Sequence, residues 1–290
     1  MPVYVGTSGW QYRDWRGVLY PPGLAQGRWL DHYAGQFRTV ENNSSFYRLP
    51  SRETFAGWRA RTSSGFVMAV KASRYLTHVK RLRDPAQPVQ RLMRAAAGLG
   101  DRLGPVLLQL PPNLPADGDA LDACLTEFSR SGWPPAGELP PEEPSRGEPA
   151  AGLPAGGRVR VAVEFRHPSW WTEDIRKLLT RHDAALSWAD RLGQPVTPLW
   201  STARWGYLRF HEGTARPWPR YGEQELCAWV QRIAATCTAG ADVFVYFNND
   251  PGGAALLDAA AFAALVRESG REVTPTWVPP EVAGQPGAAY

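Results

Sequence analysis

The chain has 290 residues, of which 43% are hydrophobic and 21% are charged, and its formal net charge is +4 at pH 7. No apolar run approaches the roughly 20 residues that a transmembrane helix needs, so the composition argues against a membrane-spanning protein. The basic excess is small and dispersed; it permits an anionic ligand but lacks the concentrated basic run typical of nucleic-acid binders.

Cellular compartment is indicated by the start of the chain and by its cysteines. The first predicted strand begins almost at Met1, which leaves no space for the basic and apolar regions of a signal peptide. Cys124, Cys227 and Cys237 form an odd set without C-x-x-C spacing, so neither a disulfide framework nor a cysteine zinc site is indicated. We therefore expect a cytoplasmic protein with reduced thiols.

Eight short, β-favouring apolar runs recur along the chain, and each ends in a polar cluster. The runs lie at 3–5, 39–40, 66–70, 106–108, 159–163, 185–188, 207–208 and 243–247. Predicted helices lie between them at 28–37, 51–62, 88–103, 119–129, 172–181, 223–236 and 254–268. This alternation predicts an α/β fold, a TIM-barrel-like (β/α)8 barrel. One barrel helix is expected to be missing between strands six and seven, where 191–204 carries Pro195 and Pro198.

A single barrel domain is predicted over residues 1–270. Proline and glycine supply half of residues 134–157, which predicts a mobile insertion. Because it precedes strand five, this insertion is expected on the rim opposite the C-terminal ends of the strands. Residues 271–290 contain four prolines and are predicted to form an extended tail.

Strand alternation predicts which polar side chains enter the barrel, because successive side chains point to opposite faces. In strand five, Val161, Val163 and Phe165 suit contact with helices, which leaves Glu164 and Arg166 inside. The same reasoning across the strands predicts inward residues at one end of the barrel: Glu41, Asn43, Lys71, Gln109, Glu164, Arg166, Asp190, Arg209, His211, Asn248 and Asp250. Polar residues at the C-terminal strand ends build the active site of such barrels.

A purely structural role for these charges is the alternative. In it, carboxylates neutralise cations in a buried network: Glu41, Glu164 and Asp190 with Lys71, Arg166 and Arg209. Removing charges from water costs several kcal/mol each, so apolar filling would stabilise a barrel more readily. We therefore favour a ligand site.

The same residues lie in motifs that resemble those of a known family. In chain order the motifs are Gly6-Thr7-Ser8-Gly9-Trp10, Val40-Glu41-Asn42 with Phe46-Tyr47, Lys71-Ala72 with Thr77-His78, Gln109-Leu110-Pro111-Pro112, Val163-Glu164-Phe165-Arg166-His167-Pro168, Asp190-Arg191, Tyr207-Leu208-Arg209-Phe210-His211 and Tyr246-Phe247-Asn248-Asn249-Asp250. Over these motifs the chain resembles the domain of unknown function 72, also called YecE-like. The resemblance implies a TIM-barrel-like fold and carries no established activity. Glu212 stands where the family often has Gly, a departure that removes no inward charge.

The favoured hypothesis is an enzyme, a hydrolase, lyase or isomerase, that acts on a small anionic or polyhydroxylated substrate such as a sugar or sugar phosphate. Arg166 and Arg209 would hold an anion or oxyanion. Glu164 would act as general acid or base, assisted by Lys71 or His211. The other polar residues would bind substrate or orient its hydroxyl groups: Glu41, Asn43, Gln109, Asp190, Asn248, Asn249 and Asp250. The remaining histidines of interest are expected on loops or helices: His32, His78 and His182.

Two alternatives use the same end of the barrel. A metal-dependent isomerase or phosphodiesterase would hold a divalent metal with an oxygen-rich set and one imidazole: Glu41, Glu164, Asp190, His211 and Asp250. A noncatalytic nucleic-acid-binding or regulatory barrel would stack bases on exposed rings: Trp10, Tyr12, Trp15 and Tyr47. Neither a phosphate-binding loop motif nor a dinucleotide glycine fingerprint occurs, so no cofactor is predicted.

Overall fold

The computed structural model describes residues 2–131, 158–238 and 240–280. Its strands are β1 (Val3–Thr7), β2 (Thr39–Asn42), β3 (Val67–Lys71), β4 (Leu103–Gln109), β5 (Val161–Glu164), β6 (Ala185–Arg191), β7 (Gln194–Pro195), β8 (Gly206–Phe210) and β9 (Val243–Phe247). All but β7 pair in parallel, in the order β1-β9-β8-β6-β5-β4-β3-β2. The result is a nearly closed eight-stranded barrel, which confirms the predicted fold class.

The helices surround this barrel. They are α1 (Trp29–Gln36), α2 (Ser44–Tyr47), α3 (Arg52–Arg59), α4 (Ala86–Ala96), α5 (Gly118–Arg130), α6 (Glu173–Arg181), α7 (Glu223–Thr236) and α8 (Ala254–Glu268). Side-chain caps start α5 and α6, because Asp117 accepts from the Ala120 amide and Thr172 accepts from the Ile175 amide. Between β6 and β8 the chain forms the antiparallel β7 turn and no helix, as predicted. Across the described ranges, no helix combines the length and apolar character needed to cross a bilayer.

Two apolar layers follow from strand alternation. The barrel interior is filled by small and aromatic side chains that include Ala69, Ala162 and Tyr246. The opposite faces of the strands pack under the helices, as Val161 and Val163 do. Each fully buried large apolar side chain contributes about 1.5–3 kcal/mol, so this alternation fixes the register of the strands. It also directs Lys71, Glu164 and Arg209 to the inner side at the C-terminal strand ends, as predicted.

The barrel has one seam, between β1 and β2, two fully described strands that share no hydrogen-bonded ladder. Gly6 lies so close to β2 that a Cβ there would press against the Thr39 carbonyl. Tyr33 of α1 bridges the seam: its hydroxyl donates to the Thr39 carbonyl at 3.0 Å and accepts from the Thr7 amide at 3.1 Å. Inside the barrel, the Thr39 and Tyr246 hydroxyls are hydrogen bonded at 2.7 Å. Side chains therefore replace the missing ladder.

The two segments predicted outside the barrel are described in part. The predicted insertion, 134–157, lies outside the described residues, as do residues 281–290 of the predicted tail. Residues 272–274 pair with β1, where Val273 forms a bridge with Val3 and the Thr274 amide donates to the Val3 carbonyl at 3.0 Å. Trp277 is only 7% exposed and belongs to the outer core. The start of the predicted tail thus packs against the barrel.

Candidate functional site

Arg209 on β8 lies at the centre of a buried ion-pair network. Its Nε and Nη2 donate to the Glu41 carboxylate at 2.8–3.2 Å, and its Nη1 donates to Glu164 Oε2 at 2.6 Å. The Tyr207 hydroxyl donates to Glu41 Oε2 at 2.6 Å, and Arg166 Nε donates to Glu164 Oε1 at 2.9 Å. No more than 2% of the Arg209, Glu41 and Glu164 side chains is exposed. Part of the structural alternative is therefore realised here.

This network keeps both carboxylates ionised. Burial alone would raise the pKa of Glu41, but the Arg209 charge and its hydrogen bonds bring that pKa below its ordinary value. The same balance, with help from His211 and Arg166, holds the pKa of Glu164 well below its usual range. An ionised carboxylate has no proton to donate. Glu164 therefore fits the role of an anchor for Arg209 better than that of a general acid.

Lys71, at the end of β3, differs from the arginines. Its Nζ lies 4.4 Å from the centre of the Phe46 ring, a cation–π contact. Within the described part of the chain, it forms no ion pair with a carboxylate. Burial and the nearby Arg209 charge lower the pKa of Lys71 to about 8, against the opposing effect of Glu41 and Glu164. A neutral amine is therefore accessible near physiological pH.

A cavity of about 440 Å³, which we call the mouth cavity, opens above the network. Six of the predicted site residues line it: Asn43, Lys71, Gln109, Arg166, Arg209 and Asn248. Glu41 and Glu164 do not line it and reach it through Arg209, to which both carboxylates are bonded. The volume lies within the range of about 300–1,000 Å³ that is typical of small-molecule sites.

Several buried polar atoms beside the mouth cavity have no hydrogen-bond partner among the described residues. They are Ser8 Oγ, Asn43 Oδ1, His211 Nε2 and Asp250 Oδ1. His211 Nδ1 lies 3.4 Å from the Asn248 amide nitrogen, and its Nε2 lies 3.5 Å from Glu164 Oε1. Burial raises the pKa of Asp250 to about 7, although the nearby Tyr12 hydroxyl opposes the shift. Buried polar groups are normally hydrogen bonded, so these atoms are candidates for ligand contacts.

The prediction that Asp190 enters the barrel is wrong. Asp190 has the same parity as Leu186 and Trp188, which pack in the outer core. Its carboxylate accepts from the Tyr221 hydroxyl at 2.6 Å and from the His211 amide at 2.6 Å. Burial raises the pKa of Asp190 to about 6. Asp190 thus holds the loop after β8 in place.

Asn249 also differs from expectation. Its Nδ2 donates to Asp258 Oδ2 at 2.7 Å and to the Pro219 carbonyl at 2.9 Å. Alternation explains this, because Asn248 points to the mouth cavity and its neighbour must point the other way. Asn249 cannot orient substrate hydroxyl groups from that position.

Sequence reasoning missed His78 and Phe46 as residues of the mouth cavity. His78 belongs to a π-helix, Tyr75–Val79, and Phe46 belongs to α2. The His78 Nδ1 and the Thr77 hydroxyl lie 2.9 Å apart, while burial and the Lys71 charge lower the pKa of His78. The available signal was position, since both residues follow a barrel strand within a few residues.

The residues present do not fit the metal site that the sequence suggested. Across the described ranges, no group of three or more His, Cys, Asp or Glu side chains is arranged to hold a metal ion. Glu41 and Glu164 are bonded to the Arg209 guanidinium, whose charge opposes a second cation between them. Asp190 is on the other face of its strand.

The nucleic-acid alternative loses two of its four rings. Trp10 and Trp15 are buried in the outer core and cannot stack on bases. Tyr12 and Tyr47 do line the mouth cavity. The two rings that remain of those four lie at the edge of a concave site, which suits a small molecule better than a strand.

The barrel and its charged mouth cavity define the class: this is a TIM-barrel-like α/β protein with a small-molecule-sized cavity at the C-terminal strand ends. The sequence model of the family described as "Protein of unknown function DUF72" matches residues 4–283, and the chain belongs to that family. The resemblance found in the motifs is thereby confirmed.

Known relatives agree with this assignment. UPF0759 protein YunF of Bacillus subtilis (strain 168) is 25% identical over 283 residues, which are 87% of this chain and 90% of the relative. UPF0759 protein YecE of Escherichia coli (strain K12) is 30% identical over 132 residues, 44% of this chain and 46% of the relative. The crystal structure of a DUF72 family protein from Thermotoga maritima MSB8 is similar with a TM-score of 0.69 and 26% identity, covering 92% of this chain and 100% of that one.

Proposed function

We propose that the protein is an enzyme that acts by acid–base chemistry on a small anionic, polyhydroxylated substrate bound in the mouth cavity. The observation that carries the proposal is the Lys71 amine, which faces this cavity without a carboxylate partner in the described residues. A sugar phosphate or a sugar acid combines the two kinds of group that the cavity walls complement.

One wall of the mouth cavity suits an anion. Lys71, Arg166 and Arg209 oppose the ionised Glu41 and Glu164, which leaves an excess of one positive charge while Lys71 is protonated and a balanced site once Lys71 is neutral. Arg209 is immobilised by its carboxylate partners, while 41% of the Arg166 side chain is exposed. Arg166, which donates to Glu164 through Nε, is the guanidinium placed to meet phosphate or carboxylate oxygens, and the fixed charge of Arg209 adds to the attraction.

The other wall suits hydroxyl groups. Asn43, Gln109 and Asn248 line the cavity with amides that both donate and accept hydrogen bonds. Next to the lining residue Tyr12, Asp250 Oδ1 and Ser8 Oγ are buried atoms that have no hydrogen-bond partner among the described residues. A ligand rich in hydroxyl groups would satisfy donors and acceptors of this kind.

Proton transfer falls to Lys71 in this proposal. A catalytic base works best when its pKa is near the operating pH, and the pKa of Lys71 is about 8. The neutral amine would take a proton from a carbon or hydroxyl next to the bound anion. His78, whose pKa is lowered and which also lines the cavity, would serve as the second proton-transfer group.

Deuterium exchange tests this proposal directly. Sugar phosphates and sugar acids would be incubated with the protein in D2O, and proton NMR would record both exchange at carbon and product formation. We expect Lys71→Met to lower the rate at least about a hundredfold, the usual contribution of a positioned general base. Lys177→Met is the matched control, because Lys177 is exposed on α6 and should leave the rate unchanged. The absence of exchange, turnover and binding across the panel would reject the proposal.

A further inference from the structure

A second cavity, which we call the side cavity, lies next to the mouth cavity. Its volume is about 340 Å³, and it shares Phe46 and Tyr47 with the mouth cavity as lining residues. The two rings meet edge to face, with centroids 5.1 Å apart. The two cavities are therefore separated by one aromatic pair rather than by a stretch of backbone.

The side cavity gathers several exposed apolar side chains. Tyr47 is 82% exposed, Tyr75 is 46% exposed and Val79 is 58% exposed, and all three line it. They are half of the six large hydrophobic side chains that are exposed in the described residues. Leu49 and Leu92 add further apolar surface to the wall. Exposed apolar groups concentrated in one concave site mark a binding surface.

Two arginines at the side cavity provide charge without a counterion. Arg74 and Arg91 line it, and no carboxylate side chain belongs to its lining. In the described ranges neither forms an ion pair, whereas Arg61 and Arg204 pair with aspartates. A guanidinium plane that is free of carboxylates can stack on an aromatic ring of a ligand.

Phe46 couples the two cavities. The Lys71 Nζ lies 4.4 Å from the centre of the Phe46 ring, and the same ring contacts Tyr47. An anion bound at Lys71 is therefore one ring away from the side cavity. A substituent attached to that anion can extend past Phe46 and Tyr47, which line both cavities, to Tyr75 in the side cavity.

We propose that the natural substrate is a conjugate, an anionic polyhydroxylated head that occupies the mouth cavity and an aromatic group that occupies the side cavity. This inference rests on the proposed function and specifies its substrate class. The aromatic group packs against Tyr47 and Tyr75, with Arg74 or Arg91 over its face. An aliphatic chain would use the apolar wall but would leave both guanidinium planes without a partner.

Calorimetric titration with two simple probes tests the inference. Methyl phosphate supplies the anion alone, and naphthyl phosphate adds a rigid aromatic group. We expect naphthyl phosphate to bind about tenfold more tightly, as one buried aromatic contact with stacking allows. Tyr75→Ala should remove most of that gain and leave methyl phosphate binding unchanged, because Tyr75 lines the side cavity and not the mouth cavity. Trp218→Ala is the control, because Trp218 is also an exposed aromatic residue, 51% exposed, but does not line the side cavity.

The outcomes separate this inference from the proposed function. Equal binding of the two probes, or a gain that survives Tyr75→Ala, overturns the aromatic subsite and leaves the anion site standing. Loss of binding in Arg91→Gln together with full binding in Lys71→Met places the anion in the side cavity and also overturns it. Failure of both probes to bind rejects the anion site and the inference together.

Discussion

Lys71 and Arg209 carry the same formal charge at the same end of the barrel, but their surroundings give them different chemistry. Arg209 is saturated by Glu41 and Glu164, so its charge is fixed and its position is rigid. Lys71 meets an aromatic ring instead, and its pKa falls to about 8. A rigid cation beside a titratable amine is an arrangement suited to binding an anion and moving a proton.

Asp250 provides a test of the electrostatics at this site. Burial raises its pKa from the ordinary value of 3.8 to about 7, so the folded protein keeps a proton that the unfolded chain releases. The contribution of Asp250 to the free energy of unfolding is therefore largest below about pH 4 and falls as pH rises to about 7. We expect Asp250→Asn, which cannot ionise, to gain stability relative to the natural protein by up to about 1 kcal/mol per pH unit across that window.

Urea unfolding at a series of pH values measures this difference. Asp14→Asn is the control, since Asp14 is exposed and the change should shift stability little at any pH. A difference between Asp250→Asn and the natural protein that stays constant with pH would contradict the assignment of a buried, proton-holding carboxyl.

The seam between β1 and β2 depends on a glycine with an ordinary backbone conformation. Gly6 is required for space, because a Cβ would press against the Thr39 carbonyl. Thr7 and Ser8 follow directly, and Asn43 Nδ2 donates to the Ser8 carbonyl at 3.1 Å. The seam therefore sets the distance between two walls of the mouth cavity.

Gly6→Ala should destabilise the fold by about 1–3 kcal/mol, the usual effect of overpacking. Gly57→Ala is the matched control: Gly57 lies in α3 with open space around it, and alanine there should stabilise by about 0.5–1 kcal/mol. Thermal and urea unfolding of both variants give the comparison. If Gly6→Ala left the stability unchanged, the seam would have room to open.

Strand alternation predicted correctly which side chains point into the barrel where one face of the strand was clearly apolar, as for Glu164 and Arg209. It failed at Asp190 because the inner face of β6 carries only the small Ala185, Ser187 and Ala189 and has no large polar side chain to identify it. Side-chain size was the better signal there, since the large Leu186 and Trp188 pack under helices, while small residues such as Ala185 fit inside the barrel. Residues of α2 and of the π-helix lie outside any strand period, so no alternation rule could place them.

The barrel does not end where its last predicted helix ends. Sequence composition gave no warning of this, because a proline-rich stretch indicates an extended conformation and says nothing about what it packs against. Residues 272–274 pair with β1, and Trp277 packs in the outer core. β1 also carries Thr7 and Ser8 to the seam, so the packing of this segment supports the wall of the mouth cavity.

Trp277→Ala should therefore lower the free energy of unfolding by about 3 kcal/mol, the usual cost of removing a large core side chain. Trp218→Ala should cost about 0.5 kcal/mol, because 51% of Trp218 is exposed. Equilibrium unfolding in urea compares the two variants at equal pH and salt. Equal, small losses of unfolding free energy in both variants would mean that the segment after residue 270 contributes no stability. A large loss confined to Trp277→Ala would show that the folded unit extends past residue 270.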